Sequence, residues 1–218
     1  MSQRLDLKQI ERKAWTSTFQ DGLYDLWLGW LILWLGVIYV LSQLNLPWLV
    51  ETSVNLGVYL LSLVALRLSK RHITTPRIGH VHWGPRRRAR VRWVGVILFI
   101  LVGVTFALPL LGIPALKDLY PLFGPFALGL FFLLFFGLAA FFLDYPRLYV
   151  IGLMFALPEP LMALCRLLWN FNPGFWAFLT PALVVIGMGL VIFRRFLQEY
   201  PVPDISESGV SHDQNQPE

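Results

Sequence analysis

Glu159 stands between two prolines in Leu157-Pro158-Glu159-Pro160-Leu161, deep inside a long apolar stretch. Each proline withdraws a backbone N–H, and its ring crowds the carbonyl one turn back, so a helix here should kink or break. A carboxylate at that depth is costly unless it is paired, protonated or facing water. Broken helices carrying an acid near the bilayer midplane build ion and proton sites in transporters. Either Glu159 caps the second half-helix or meets Arg166, or it binds a proton or cation. Glu51 and Asn55 are four residues apart on another apolar stretch, with Ser62 close to their face. The candidate ion or proton site is therefore Glu159, Glu51 and Asn55, provided that the helices bearing them touch.

Asp21, Asp25 and Gly29 are also spaced by four and share one face of a helix. They are expected to pair with arginines and hold a basic loop down. Candidate partners, or candidate contacts to lipid headgroups, are Arg77, Arg86, Arg87, Arg88, Arg90 and Arg147. A Lys or Arg near an anionic leaflet adds about 1 kcal/mol of attraction, so the Arg86–Arg90 cluster suits headgroups or an acidic protein. His80 and His82 are two apart, with only His72 nearby and no cysteine beside them. No metal site is expected from them, since zinc needs three or four ligands. Cys165 is the one cysteine and lies in an apolar run, as an inert thiol would. No phosphate loop, nucleophile elbow or His-Glu-x-x-His is present. Neither a catalytic residue nor a cofactor is expected.

The elements that must position these residues follow from solvent. Of the 218 residues, 56% are hydrophobic and 14% charged, where a soluble domain carries about 25% charged. The chain lacks the polar surface a water-soluble enzyme needs. A membrane helix takes about 20 mostly apolar residues. Six stretches qualify: 23–41, 46–66, 93–111, 122–143, 148–169 and 175–197. Ser-Gln-Leu-Asn-Leu-Pro at 42–47, Asp144-Tyr145-Pro146 and Asn-Phe-Asn-Pro-Gly at 170–174 are short turns, which imply antiparallel neighbours. The fold class is all-α, a polytopic bundle of six transmembrane helices.

Charge sets the orientation. Sixteen of the 18 Lys and Arg residues fall before the first span, in 67–92, at Arg147 or at Arg194 and Arg195. Lys117 and Arg166 alone fall on the other side. By the positive-inside rule both termini are cytoplasmic. The same asymmetry accounts for a net charge of +5 without a nucleic-acid partner. Trp30, Trp48, Trp93 and Trp169 lie near span ends, where aromatic belts form. Gly103 and Ala107 fit a small-xxx-small packing pair, whereas Gly29 has Leu33 four residues on.

Residues 1–22 are a cytoplasmic lead-in, with Leu7, Ile10 and Ala14 on one face of a candidate interfacial helix. The basic loop is 69–92. Within it 77–83 alternates like a short extended strand, and Pro76 disfavours helix at Thr75. Residues 198–218 have the composition of a disordered tail. Thr75-Pro76-Arg77-Ile78 and Tyr145-Pro146-Arg147-Leu148 echo one another after the second and fourth spans.

Two segments carry a family resemblance. They are Glu11-Arg12-Lys13-Ala14 with Phe19-Gln20-Asp21-Gly22-Leu23-Tyr24-Asp25-Leu26, and Thr75-Pro76-Arg77-Ile78-Gly79-His80-Val81. Together they resemble a group of small multi-pass bacterial membrane proteins with a Pro-Arg-x-Gly-x-Val loop between the second and third spans. The resemblance implies a bacterial plasma membrane and supplies no catalytic or binding residues.

Two roles fit these residues. One is a structural or regulatory membrane component acting through its basic cytoplasmic face. Its partners would be anionic headgroups, a cytoplasmic protein or a second copy of the chain. The other is a small transporter or channel-like protein using Glu159. A membrane enzyme is disfavoured, because no nucleophile–base or metal-ligand pattern appears.

Overall fold

The computed structural model describes residues 19–78, 92–93, 95–97, 100 and 114–201. The third span expected at 93–111, the lead-in, the Arg86–Arg90 cluster, the His80–His82 pair and the tail lie largely or wholly outside the described residues. Among the described residues the structure is all-helical, and five helices are long and apolar enough to cross a membrane.

Helix α1 is Leu23–Ser42 and α2 is Trp48–Ser69. A π-helical turn at Lys70–Thr74 joins α2 to the short α3, Thr75–Ile78. Helix α4 is Pro114–Leu143. Arg147–Ala156 and Pro158–Trp169 are α5 and α6, two halves of one rod, and α7 is Phe175–Glu199. The turns between them use Asn45, Asp144, Asn170 and Gly174, all at positive φ. Asn170 caps α6 in the left-handed conformation, and the N–H of Phe171 reaches back to the Cys165 carbonyl at 3.3 Å.

One expectation needs correction. The segment from residue 69 does not leave the helix: the chain stays helical to Ile78, so Arg77 and Ile78 are not extended. The cause is the π turn. The N–H of Thr75 bonds the carbonyl of Lys70, five residues back, and its Oγ1 donates to the same oxygen at 3.1 Å. Widening the turn makes room for the Pro76 ring and its missing N–H, which an unbroken α-register would not tolerate. The stretch read at 122–143 agrees with the membrane-spanning part of α4, Phe123–Leu143, although the helix itself begins at Pro114 and runs 30 residues.

The core is shared by α1, α4, α5 and α7. Ile32, Ile151, Ala182 and Val185 are fully buried in it. Phe136 stacks on Phe155 with ring centroids 4.7 Å apart. Leu, Val, Phe and Trp side chains point outward over most of the surface, as a lipid-facing bundle requires. Lipid tails are as apolar as these side chains, so close backbone approach must supply much of the cohesion. Gly22, Gly29 and Gly36, spaced by seven, provide it along α1. They lie against Gly189, Ile186 and Phe178 of α7 respectively, so α1 and α7 run antiparallel. Gly22 also sits at φ +71°, where side chains are strained. Among the described long helices α2 is peripheral: it packs on α1 alone and buries none of its own residues.

Candidate functional site

The ends of α1, α2, α5 and α7 that meet at one pole of the bundle hold a buried acid–base cluster. Asp25 stands in the first turn of α1, and Asp21 lies in the turn before it, ahead of the left-handed Gly22, so helical spacing brings in only the first of them. Both are fully buried. Asp21 takes Lys70 Nζ at 2.9 Å and Thr74 Oγ1 at 2.8 Å on Oδ2, while Oδ1 accepts the N–H of Leu23 at 3.2 Å. Asp25 takes an Arg147 guanidinium nitrogen at 2.6 Å on Oδ2 and the Tyr145 hydroxyl on Oδ1. The other arm of Arg147 donates to the Phe19 carbonyl. Each of the four carboxylate oxygens therefore has at least one donor, which a buried charge demands.

Aromatic rings wall the cluster off. Lys70 Nζ lies 3.9 Å above the Tyr24 ring, and the Arg147 guanidinium lies 5.0 Å from the Tyr145 ring. Phe19 stacks on Tyr145 with centroids 4.8 Å apart. Burial, then the neighbouring Asp25 carboxylate, pushes the Tyr145 hydroxyl above its ordinary range. Tyr145 thus stays protonated and remains a donor to Asp25. Arg77 stands at the same pole and donates to the Tyr200 carbonyl at 3.2 Å, pinning α3 to the end of α7.

Of the candidate site residues, Asp21 and Asp25 come together here with Arg147. Arg77 joins at the rim, and Arg86, Arg87, Arg88 and Arg90 lie outside the described residues. Lys70, Thr74, Tyr24 and Tyr145 complete the cluster, and none was singled out from sequence as a partner for the acids. A signal existed for one side of it. The echoed Thr75-Pro76-Arg77 and Tyr145-Pro146-Arg147 segments fall at this one pole, although the first prolongs a helix and the second begins one.

The second candidate set does not assemble. Glu159 lines an open recess of about 280 Å³ with Arg166, Pro125 and Phe126, between α4 and α6. The freed carbonyl of Ala156 and the Pro160 ring fill the space beside Gly129, where an added Cβ would come within 2.9 Å of each. The two prolines therefore break the rod only at Leu157, which itself keeps helical dihedrals. Glu51 and Asn55 sit on peripheral α2, which packs against α1, whereas α6 packs against α4, α5 and α7. Helices bearing the three residues thus have different neighbours.

Asn55 belongs instead to the seam between α1 and α2. Trp27 Nε1 donates to Ser62 Oγ at 3.1 Å across that seam. Seven residues on from Trp27 is Trp34, and seven before Ser62 is Asn55. The antiparallel register brings these two to the same level, and both Trp34 Nε1 and Asn55 Oδ1 are buried without a partner. An orphaned buried acceptor costs about 1–3 kcal/mol. Asn55→Leu is therefore expected to leave thermal stability unchanged or raise it by about 1 kcal/mol. A loss of that size on detergent unfolding curves would mean that the amide is bonded.

At the opposite pole Trp48, Trp169 and Trp176 are exposed, and Asn172 donates to the Tyr39 hydroxyl. Trp30 lies away from both poles and lines a groove between α1 and α2. Comparison of the chain with protein-family models, with curated proteins and with solved structures returns no match.

Proposed function

We propose that the chain is a six-crossing plasma-membrane component that works through its basic cytoplasmic face, in a structural or regulatory role. The observation that carries this reading is the buried Asp21–Lys70 and Asp25–Arg147 cluster. It ties helices from distant parts of the chain together at the pole where Arg67, Arg71, Arg194 and Arg195 are exposed. A pole locked in this way presents its surface charges in a fixed arrangement, which suits recognition by an acidic cytoplasmic protein. The Arg86–Arg90 segment would rest on anionic headgroups beside it.

Six crossings are supported by the ends of the described helices. Helix α3 ends at the clustered pole, and α4 begins at the opposite one, because α4 runs antiparallel to α5. The span read at 93–111 would make the return. Helix α1 begins and α7 ends at the clustered pole, and the lysine and arginine asymmetry places that pole in the cytoplasm. The bacterial plasma membrane is taken from the resemblance around Thr75–Val81.

A transporter is the second reading, and Glu159 beside a broken helix favours it. The Glu159 recess lacks Glu51 and Asn55. One experiment separates the two. A photo-crosslinking residue placed at Arg71 or Arg194 should capture a discrete protein in cells, and one at Trp169 or Trp176 should not. In proteoliposomes, Glu159→Gln should leave proton and cation flux at the level of the unaltered protein, itself equal to empty vesicles. Flux that falls on Glu159→Gln, with no adduct from the basic pole, would replace the first reading by the second.

A further inference from the structure

The exposed charge at the clustered pole is not balanced by the described residues. Arg71 in the π turn, and Arg194 and Arg195 near the end of α7, are exposed. No described acid is ion-paired with them. Asp21 and Asp25 are taken by Lys70 and Arg147, and Glu199, one turn beyond Arg195, makes no ion pair. The hydrogen bond from Arg77 to the Tyr200 carbonyl brings the end of α3 to the end of α7. All three arginines stand five or six residues back from that contact, about 8–9 Å along a helix axis at 1.5 Å per residue.

Three stretches of chain outside the described residues join the bundle at this pole: 1–18 before α1, 79–91 after α3 and 202–218 after α7. The first carries four lysines and arginines against two acids, and the second carries four arginines and no acid. The third carries Asp204, Glu207, Asp213 and Glu218, with no lysine or arginine. Among the three, only 202–218 is complementary to the exposed arginines. Its apolar residues, Val202, Ile205 and Val210, are too few for a core of their own. Reach is sufficient. Glu207 is seven residues beyond Tyr200, about 15 Å root-mean-square for a flexible chain and at most about 24 Å extended. Such a tether holds the acids beside the arginines at an effective concentration in the millimolar range. A headgroup brings one negative charge at a time, whereas this strand brings four. Exposed ion pairs are individually weak and screened by salt, so the occupant is held yet exchangeable.

We propose that residues 202–218 are the resting occupant of the basic pole, with their acids on Arg71, Arg194 and Arg195, and that an acidic protein partner must displace them. The displacement rests on the recognition role proposed above; the docking of the tail does not. The pole is then self-covered until a partner of greater negative charge arrives, and partner capture is set by competition with the chain's own acids.

Photo-crosslinking of the full chain in nanodiscs tests this, with benzoylphenylalanine at exposed His72, beside Arg71. In phosphatidylcholine, peptide mapping should find an adduct to residues 202–218 whose yield is independent of protein concentration. Neutralising the tail with Asp204→Asn, Glu207→Gln, Asp213→Asn and Glu218→Gln should lower that yield at least about tenfold, as should about 1 M salt, where the screening length falls to about 3 Å. None of these four acids belongs to the packed core, so folding is not at stake. Absence of the adduct, or an adduct unchanged by neutralisation, would overturn the docking. So would loss of the adduct when phosphatidylglycerol is added to the nanodisc, which would give the pole to headgroups. In cells, the probe at Arg71 should capture its protein at least about tenfold more in the neutralised chain, because the tethered competitor is gone. Equal capture by the two chains would overturn the displacement. A tail adduct in nanodiscs with no protein captured by either chain would uphold the docking and remove the recognition role.

Discussion

Asp25→Ala is expected to destabilise the folded bundle by about 3–5 kcal/mol, the usual consequence of removing one partner from a buried ion pair. The loss has two parts. Arg147 would be left charged in a pocket walled by Tyr145 and Phe19, with only the Phe19 carbonyl as acceptor. The Tyr145 hydroxyl would lose the acceptor it now meets on Asp25. The Tyr145 hydroxyl cannot reach water without opening the packing of α1 against α5, and Arg147 has only about a quarter of its side chain exposed. The double variant Asp25→Leu with Arg147→Met should recover much of the loss, because an apolar pair of similar volume carries no desolvation penalty. Unfolding curves in detergent–denaturant mixtures read both. A loss under about 1 kcal/mol for Asp25→Ala, the size of a surface pair, would show that the cluster is solvated and does not lock the pole.

Gly29→Leu should be the second large effect, through packing alone. Even an alanine Cβ at this position would meet Ile186 Cγ1 at 2.7 Å and the Ile186 backbone nitrogen at 3.0 Å. The side chain of Ile186 can turn away, but the backbone of α7 cannot. Gly29→Ala should therefore cost about 1–3 kcal/mol, the usual range for overpacking. Gly29→Leu should separate α1 from α7 and carry the acids of α1 away from Lys70 and Arg147. Gly57 is the control. An added Cβ there meets nothing within 4 Å. Gly57→Ala in the middle of α2 should stabilise by about 0.4–1 kcal/mol, by restricting the unfolded chain and favouring helix. If Gly29→Ala and Gly57→Ala have the same effect, close approach of α1 and α7 does not hold the bundle.

Both predictions rest on features that were unevenly legible in the chain. The four-residue spacing of Asp21 and Asp25 argued for one helix face, yet Asp21 falls in the turn before α1, ahead of the left-handed Gly22; their position at a span end argued that they need cations. Which cations could not be read. Lys70 reaches Asp21 only because the π turn carries the helix past Ser69. Proline at position 76 argued for the opposite, a chain leaving the helix. The local steric preference yielded to the Thr74 hydrogen bond to Asp21, which exists only when α2 lies beside α1, together with the local bonds of Thr75 to the Lys70 carbonyl. The glycine seam of Gly22, Gly29 and Gly36 was not read from the chain. Its period of seven hides from a search for small residues four apart, and Gly29 followed by Leu33 gives no such pair. Glu159 was correctly placed at a helix break, yet its proposed companions Glu51 and Asn55 lie on a helix with a different neighbour.

Sequence by itself determined the solvent, the helical class, the spans that the described residues cover and the short turns between them. Each depends on runs of neighbouring residues, whose hydropathy and turn preferences add along the chain. Tertiary structure alone decided which acid meets which base, that α2 packs on α1 alone among the described long helices, and that Asn55 lies on a helix that does not neighbour the one bearing Glu159. Those choices depend on the rotational phase and register of helices far apart in sequence. Close contact at a few glycines and prolines sets that phase, and no local sum of residue preferences contains it.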